Sequence, residues 1–401
     1  RTRQSEKCSY SSPFKQSFAN AVQRRAHALP LRSSPDSHES HIKWLSARAE
    51  SIGIARPRLG GAAALRFCGA GRRLGKGRII SRILYSPYSS KLIRRVRAIL
   101  VFMDTMKLIT KQAVAKAVYE AIPNIACVLP CDVKRSLAEA RKAEGESRGA
   151  LVLDQLLENA EIAERDCVPI CQDTGTCWVC LEAGPDVLVP GDVFAETDDA
   201  VARAYTEALL RKSVVRDAFF DRSNTGDNTP AFTDVHFSEK PGCRLHVLLK
   251  GGGSDNASRV VMLPPGAGKQ GILNEVMDCV RHKAANACPP LVIGIGIGST
   301  FDKVAGMAKS ALLRPVGSSA KDERTAELEN ELLDMVNATG MGPGALGGKT
   351  LALAVHVNTA PCHIAALPLA INMGCSAMRR ATFEFNAQTG EFERGNAEMG
   401  E

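Results

Sequence analysis

From Met106 onward the apolar residues recur at spacings that alternate between those of helices and those of strands. Leu108, Val114, Ala115 and Val118 predict a helix ending near Pro123, and a second is expected after Asp132 as its N-cap. A third starts at about Ser147, where Leu153, Leu156, Leu157 and Ala160 share one apolar helical face. A strand is predicted over 176–182 and is broken by Gly184-Pro185. A helix from Asp198 to Val214 follows, with Val201, Ala204, Tyr205, Ala208 and Leu209 inward and Arg211 and Lys212 at its C-terminal end. The polar loop 224–230 leads into short strands near 231–237 and 244–249. A helix at about 270–284, a strand from Leu291 to Ile297, and helices at about 302–313 and 322–338 come next, the last stopped by Gly340. Strands over 351–357 and up to Gly374 are the last apolar ones expected, with a polar tail after them. The pattern predicts an α/β fold, amphipathic helices packed around short mixed strands, in a single main domain over 103–401.

Residues 1–102 stand apart, because their apolar positions keep no sustained period and they hold no methionine. They carry 21 Lys+Arg against 4 Asp+Glu, a net of +17, whereas 103–401 has a net of −9. The favoured reading is a translated upstream region outside the natural protein; an Arg- and Ser-rich presequence and a genuine basic arm are the alternatives. The acidic remainder argues against a nucleic-acid partner. No apolar run long enough to span a bilayer is evident, and a cytoplasmic location is expected. Thirteen cysteines in such a chain read as free thiols, some of them metal ligands, rather than as a disulfide framework.

The densest candidate chemistry is Cys171-Gln172-Asp173-Thr174-Gly175-Thr176. Pro169 prevents a continuing helix, so this polar group sits in a turn at the mouth of a strand, where α/β proteins place ligands. The bland reading is a capped turn with a buried cysteine. Cys288 precedes a strand and Cys375 follows one, each flanked by proline or glycine, so three thiols could converge at one sheet edge. Three thiolates suit an iron–sulfur cluster that keeps one iron open, although any three of the cysteines could be chosen on spacing alone. Cys177-x-x-Cys180 has a zinc or redox spacing, but residues three apart on a strand point to opposite faces, so both read as packing residues. The Gly251–Gly253 run suits a carboxylate or phosphate, or is a flexible turn. The Gly294, Gly296, Gly298 run is close packing of a strand on the following helix rather than a dinucleotide site. His363 is read as a satisfied turn histidine or a substrate ligand, and Arg211 as a helix cap or a partner for a substrate carboxylate.

Taken together, VPICQDTGT (168–176), LRKS (210–213), NTGDNTPA (224–231), KGGGSDN (250–256), CPPLVIGIGIGSTFDK (288–303), ALLRPVG (311–317), GPGALGGKT (342–350) and HIAALPLAINMGC (363–375) resemble the α subunit of the iron–sulfur-dependent class I fumarate hydratases and the related L-tartrate dehydratases. The resemblance implies a [4Fe-4S] cluster on Cys171, Cys288 and Cys375, and a dicarboxylate substrate surrounded by Gln172, Asp173, Arg211, Gly252 and His363, with Asp173 assisting the base. It also implies a β subunit that carries the base, a threonine, and a higher oligomer of such pairs. The reaction implied is hydration of fumarate, with tartrate dehydration as the near alternative; a non-catalytic iron–sulfur or zinc redox sensor is the rival from another class. Two departures from the family pattern, Cys362 before the histidine and Ser376 after Cys375, are expected to lie near the cluster.

Overall fold

The computed structural model describes residues 106–395, and the reading of 1–102 lies outside them. A two-residue strand β1 (Lys107–Leu108) precedes helices α1 (Lys111–Cys127), α2 (Cys131–Glu144) and α3 (Arg148–Asp166). Strand β2 (Thr176–Ala183), the short β3 (Val187–Leu188), helix α4 (Thr197–Glu207), and strands β4 (Phe232–Phe237) and β5 (Cys243–Lys250) follow. Then come α5 (Gly252–Asn256), β6 (Arg259–Leu263), α6 (Gly268–Lys283), β7 (Leu291–Ser299), α7 (Phe301–Ala311) and α8 (Glu323–Asn337). The described chain closes with β8 (Ala352–Cys362), β9 (Leu367–Gly374), β10 (Arg379–Asn386) and β11 (Glu391–Arg394).

Two mixed sheets organise the fold, one of order β11-β10-β5-β2-β4 and one of order β6-β9-β7-β8. Strand alternation sends Cys177, Val179 and Leu181 of β2 into a core shared with α1 and α4, and Trp178 and Cys180 into another shared with α2 and α3. The two cysteines of the C-x-x-C spacing therefore face different layers, as packing residues. On the second sheet, Ile293 and Ile295 meet α6 and α8. Helix α7 lies directly on β7: a Cβ at Gly294 would stand 2.2 Å from the Ala308 carbonyl oxygen, and one at Gly296 2.4 Å from that of Val304. Those glycines allow close packing, as their spacing suggested.

Helix starts follow local capping. Thr110 Oγ1 accepts from Ala113 N at 3.1 Å, Ser147 Oγ from Ala150 N at 3.1 Å, and Asp322 Oδ2 from Thr325 N at 2.9 Å. Several expectations are corrected. Helix α1 continues through Pro123 to Cys127, because Ile122, Pro123, Ile125 and Ala126 are all buried and their packing outweighs the lost hydrogen bond. Asp132 lies inside the first turn of α2 rather than at its cap, and its carboxylate accepts from Val316 N and Arg380. Helix α4 ends at Glu207; Leu209, at φ 55° and 86% exposed, turns the chain outward instead of lying in the core. Arg211 therefore caps no helix. Strands β10 and β11 follow what was expected to be the last apolar strand, and β6 was not anticipated. By length and composition alone 111–144 would qualify as a membrane span, but it is two helices parted at 128–130, and 61% of the qualifying window is buried in the fold.

Candidate active site

The register of the first sheet brings two loops side by side. Thr176, the first residue of β2, pairs with Lys250, the last of β5, so the Cys171–Gly175 turn and the Gly251–Gly253 loop leave the same edge. Gly175, at φ 79°, allows this approach, since a Cβ there would meet the Lys250 carbonyl at 2.6 Å. Asp173 ties the loops together. Its Oδ2 accepts from Gly252 N at 2.7 Å, and its Oδ1 accepts from Gly175 N at 3.0 Å and from Ser213 Oγ at 3.2 Å. The turn is braced from behind by the buried Tyr205 hydroxyl and by Asn228 Nδ2, which donate to Gly175 O at 2.9 and 3.0 Å. Arg379, at the head of β10 and 2% exposed, donates through Nη1 to Asp173 O.

The second sheet supplies the other thiols. Strands β7 and β9 are antiparallel, with Val292 opposite Gly374, so Cys288 before β7 and Cys375 after β9 emerge at the same end. Ser376 N donates to Cys288 O at 3.0 Å and fixes the two segments together. The Cys288 backbone is left-handed, at φ 56° and ψ 69°. Its thiol pKa is raised, first by burial and then by the negative charge of Cys375, Cys171 and Asp173, although its surface remains exposed. These are the groups the sequence placed together, and they lie within electrostatic reach of one another. Lys250, 3% exposed, reaches from the first sheet to the second, where its Nζ donates to Met373 O as well as to Ser254 Oγ at 3.1 Å. Burial lowers its pKa to about 8 against the opposing charges of Asp255 and Cys375.

The remaining expected site residues divide. Gln172 and Arg211 are exposed beside the turn; Cys171 Sγ donates to Gln172 Oε1 at 3.3 Å, and Arg211 Nη1 contacts Gln172 O at 3.4 Å. Gly252 is present, but its N–H is already engaged by Asp173. His363 is elsewhere. Strand β8 runs parallel to β7 with Cys362 opposite Ser299, so His363 leaves the far end of the second sheet. The nine residues of β7 separate it from Cys288 by roughly 25 Å. There its Nδ1 accepts from Ala365 N at 3.0 Å, the arrangement of a satisfied turn histidine. Cys362 likewise lies at that far end, donating to Ala366 O at 3.2 Å, which corrects its expected place near the thiols; Ser376 is beside them.

A fumarate hydratase family model matches residues 115–384, which is most of the chain and all of the geometry just described. The chain belongs to the fumarate hydratase family. Similar proteins include "Putative L(+)-tartrate dehydratase subunit alpha" of Methanocaldococcus jannaschii, 38% identical over 276 residues, covering 67% of this chain and 96% of that protein. L(+)-tartrate dehydratase subunit alpha of Escherichia coli K12 is 30% identical over 285 residues, covering 69% of this chain and 93% of that protein.

Class I enzymes of the fumarate hydratase family are iron–sulfur dependent, and the donors of this chain fit such a group. Cys171, Cys288 and Cys375 are free thiols, soft ligands on turns that can be aimed, beside two buried cations. Among the described residues no three His, Cys, Asp or Glu side chains close around a single metal ion. That is compatible with a cluster, in which each thiolate binds a different iron. Sequence reasoning missed Lys250, Tyr205, Ser213, Asn228 and Arg379 as parts of the site. Lys250, Ser213 and Asn228 lie inside quoted motifs, yet nothing in the motifs says what their side chains contact. Arg379 had no signal beyond sitting just after Cys375.

Proposed function

We propose that this chain is the α subunit of a hydro-lyase that interconverts malate and fumarate, carrying a [4Fe-4S] cluster on Cys171, Cys288 and Cys375 and completed by a β subunit. The observation that carries the reading is the meeting of these three thiols, from two sheets, beside the Asp173–Gly252 junction. When bound, the cluster supplies a Lewis acid that polarises the hydroxyl group leaving a 2-hydroxy acid. The chain's own residues bind and orient. Arg211, with its guanidinium exposed at the turn, pairs with a substrate carboxylate, and the Gln172 amide hydrogen-bonds to it. Asp173 is pinned by three donors and holds a fixed negative charge toward the site, suited to assisting a base that removes the neighbouring proton. Dehydration removes one proton and one hydroxide from adjacent carbons, leaving fumarate and water.

Dehydration of L(+)-tartrate is the second reading, favoured by the names of the similar proteins from M. jannaschii and E. coli. The two substrates differ by one hydroxyl, which a pocket can distinguish only through its own hydrogen-bonding groups. The test is turnover of the anaerobically reconstituted chain, with and without a β subunit of the same family, on fumarate, malate and L(+)-tartrate. Malate–fumarate turnover that exceeds tartrate turnover and needs both subunits is expected. The reverse preference selects the second reading, and turnover by the α chain alone overturns the need for a β subunit. No turnover of any of the three by a cluster-loaded pair overturns the hydro-lyase reading.

A further inference from the structure

Two cations at the site are buried with no carboxylate in ion-pair contact. Lys250 closes β5 and Arg379 opens β10, and these strands are paired with Arg379 opposite Leu249, so both residues lie at one end of the sheet, with their side chains starting from opposite faces of it. They are 3% and 2% exposed. Every hydrogen bond they make goes to a neutral acceptor: Lys250 to Ser254 Oγ and Met373 O, Arg379 to Asp173 O. Arg379 Nε is buried and has no partner at all. The adjacent Arg380, equally buried at 2%, is paired with the Asp132 carboxylate, which is how the rest of the fold handles a buried arginine. An unpaired buried cation costs several kcal/mol. Two at one end of a sheet call for an anion that arrives from outside the protein. The charged groups facing Lys250 are Asp255, Cys375, Lys309 and Arg379, so the cations outnumber the carboxylates there.

We propose that Lys250 and Arg379 are the counter-charges of the anionic cluster held by Cys171, Cys288 and Cys375, positioning residues that ligate nothing and set how tightly the cluster is kept and how readily it is reduced. This rests on the functional reading above. Three thiolates outweigh a doubly positive iron–sulfide core, so the group they hold is an anion. Lys250 faces it from the β5 end while bonding to the strand that leads into Cys375. Arg379 holds the carbonyl of Asp173, two residues beyond Cys171.

The test compares the full chain as wild type, Lys250→Met, Lys250→Arg, Arg379→Gln and Arg379→Lys, each reconstituted anaerobically. Three quantities are read: iron release to a chelator, the midpoint potential of the cluster, and denaturant unfolding of the apoprotein. Lys250→Met should release iron about tenfold faster or more, the scale of an outer-shell change, and Arg379→Gln should do the same. Both should move the potential to more negative values, because a lost positive charge disfavours reduction, while Lys250→Arg and Arg379→Lys stay near wild type. The Lys250→Met apoprotein should be at least as stable as the wild-type apoprotein, since it loses an uncompensated charge. A purely structural lysine gives the opposite sign. Wild-type iron retention and potential in Lys250→Met and Arg379→Gln overturn the proposal, as does a Lys250→Met apoprotein that fails to fold. A wild-type chain that takes up no iron overturns the cluster reading itself, a result seen before any variant is compared.

Discussion

Replacing Asp173 with asparagine tests how the site is held. The two carboxylate oxygens take three donors: Gly252 N at 2.7 Å on Oδ2, and Gly175 N at 3.0 Å with Ser213 Oγ at 3.2 Å on Oδ1. An asparagine has one oxygen. If that oxygen faces Gly175 and Ser213, its NH2 group points at the Gly252 N–H; if it is flipped, the NH2 points at the Gly175 N–H. The Ser213 hydroxyl can rotate to accept, but a backbone N–H cannot, so one donor always meets another donor. Hydrogen bonds to charged groups contribute about 1.5–3 kcal/mol, and leaving one such donor unpaired costs a similar amount. Asp173 is only partly buried, so the lower end applies, and Asp173→Asn should lose about 2 kcal/mol of apoprotein stability in denaturant unfolding. Cys171 lies two residues before Asp173, so the loosened turn should also shed iron faster than wild type does. Asp173→Ala, which leaves the same donors free to take water, should lose no more than Asp173→Asn. A double-mutant cycle with Ser213→Ala measures the coupling across the Oδ1 bond. An Asp173→Asn apoprotein within about 0.5 kcal/mol of wild type would refute the idea that this carboxylate locks the turn to the glycine loop.

Serine at Cys171, Cys288 or Cys375 should each abolish most iron binding, because a hard ligand replaces a soft one; serine at Cys177, Cys180 or Cys279 should not, and full iron in Cys288→Ser would contradict the ligand set. His356 is 1% exposed with Nε2 unpartnered, and burial lowers its pKa from 6.5 to about 4. The unfolded chain therefore takes a proton between pH 6.5 and 4 that the folded chain refuses, so stability falls as pH drops through that window, by about 3 kcal/mol in all. His356→Gln apoprotein should show a flatter decline there, and parallel stability–pH curves would be evidence against the assignment. Gly294→Ala should destabilise by at least about 2 kcal/mol because its Cβ meets backbone, whereas Gly306→Ala on α7, with open space around it, should be neutral or stabilising by up to about 1 kcal/mol; equal unfolding midpoints for the two would undo the packing argument.

What the sequence made legible was local. The turn at 171–176 follows from Pro169 and Gly175, the seat of α7 from Gly294 and Gly296, and the opposed faces of Cys177 and Cys180 from strand alternation. Lys250 and Arg379 were not legible, because a cation at a strand end normally reaches solvent. Only the pairing of β5 with β10, with Lys250 set against the second sheet and Arg379 against the Asp173 turn, shows that these two do not. The buried hydroxyl of Tyr205 was expected inward for packing, and its bonds to the Thr174 and Gly175 carbonyls depend on where α4 stops. Helix α4 stopped early because Leu209 takes a left-handed turn, which no residue type announced.

The direction of strands decided the rest. Cys375 and His363 both sit at the ends of apolar strands beside β7, and along the chain nothing separates their claims to the site. Strand β9 is antiparallel to β7, so its final residue returns to where β7 begins, next to Cys288. Strand β8 is parallel, so its end is carried to where β7 finishes. A parallel neighbour delivers its C-terminal loop to the opposite edge from an antiparallel one, whatever residues that loop contains. The implied role of His363 therefore has no path within a single copy of this chain: the imidazole would have to cross the length of β7 to meet a substrate held at Arg211 and Asp173. It can act there only if the turn after β8 of a second copy reaches this site. In that case two inactive variants, Asp173→Asn and His363→Ala, should regain turnover when mixed and reassembled, because one mixed site then contains both wild-type groups. If mixing restores nothing while His363→Ala alone keeps its wild-type rate, His363 is the satisfied turn histidine that its bond to Ala365 describes.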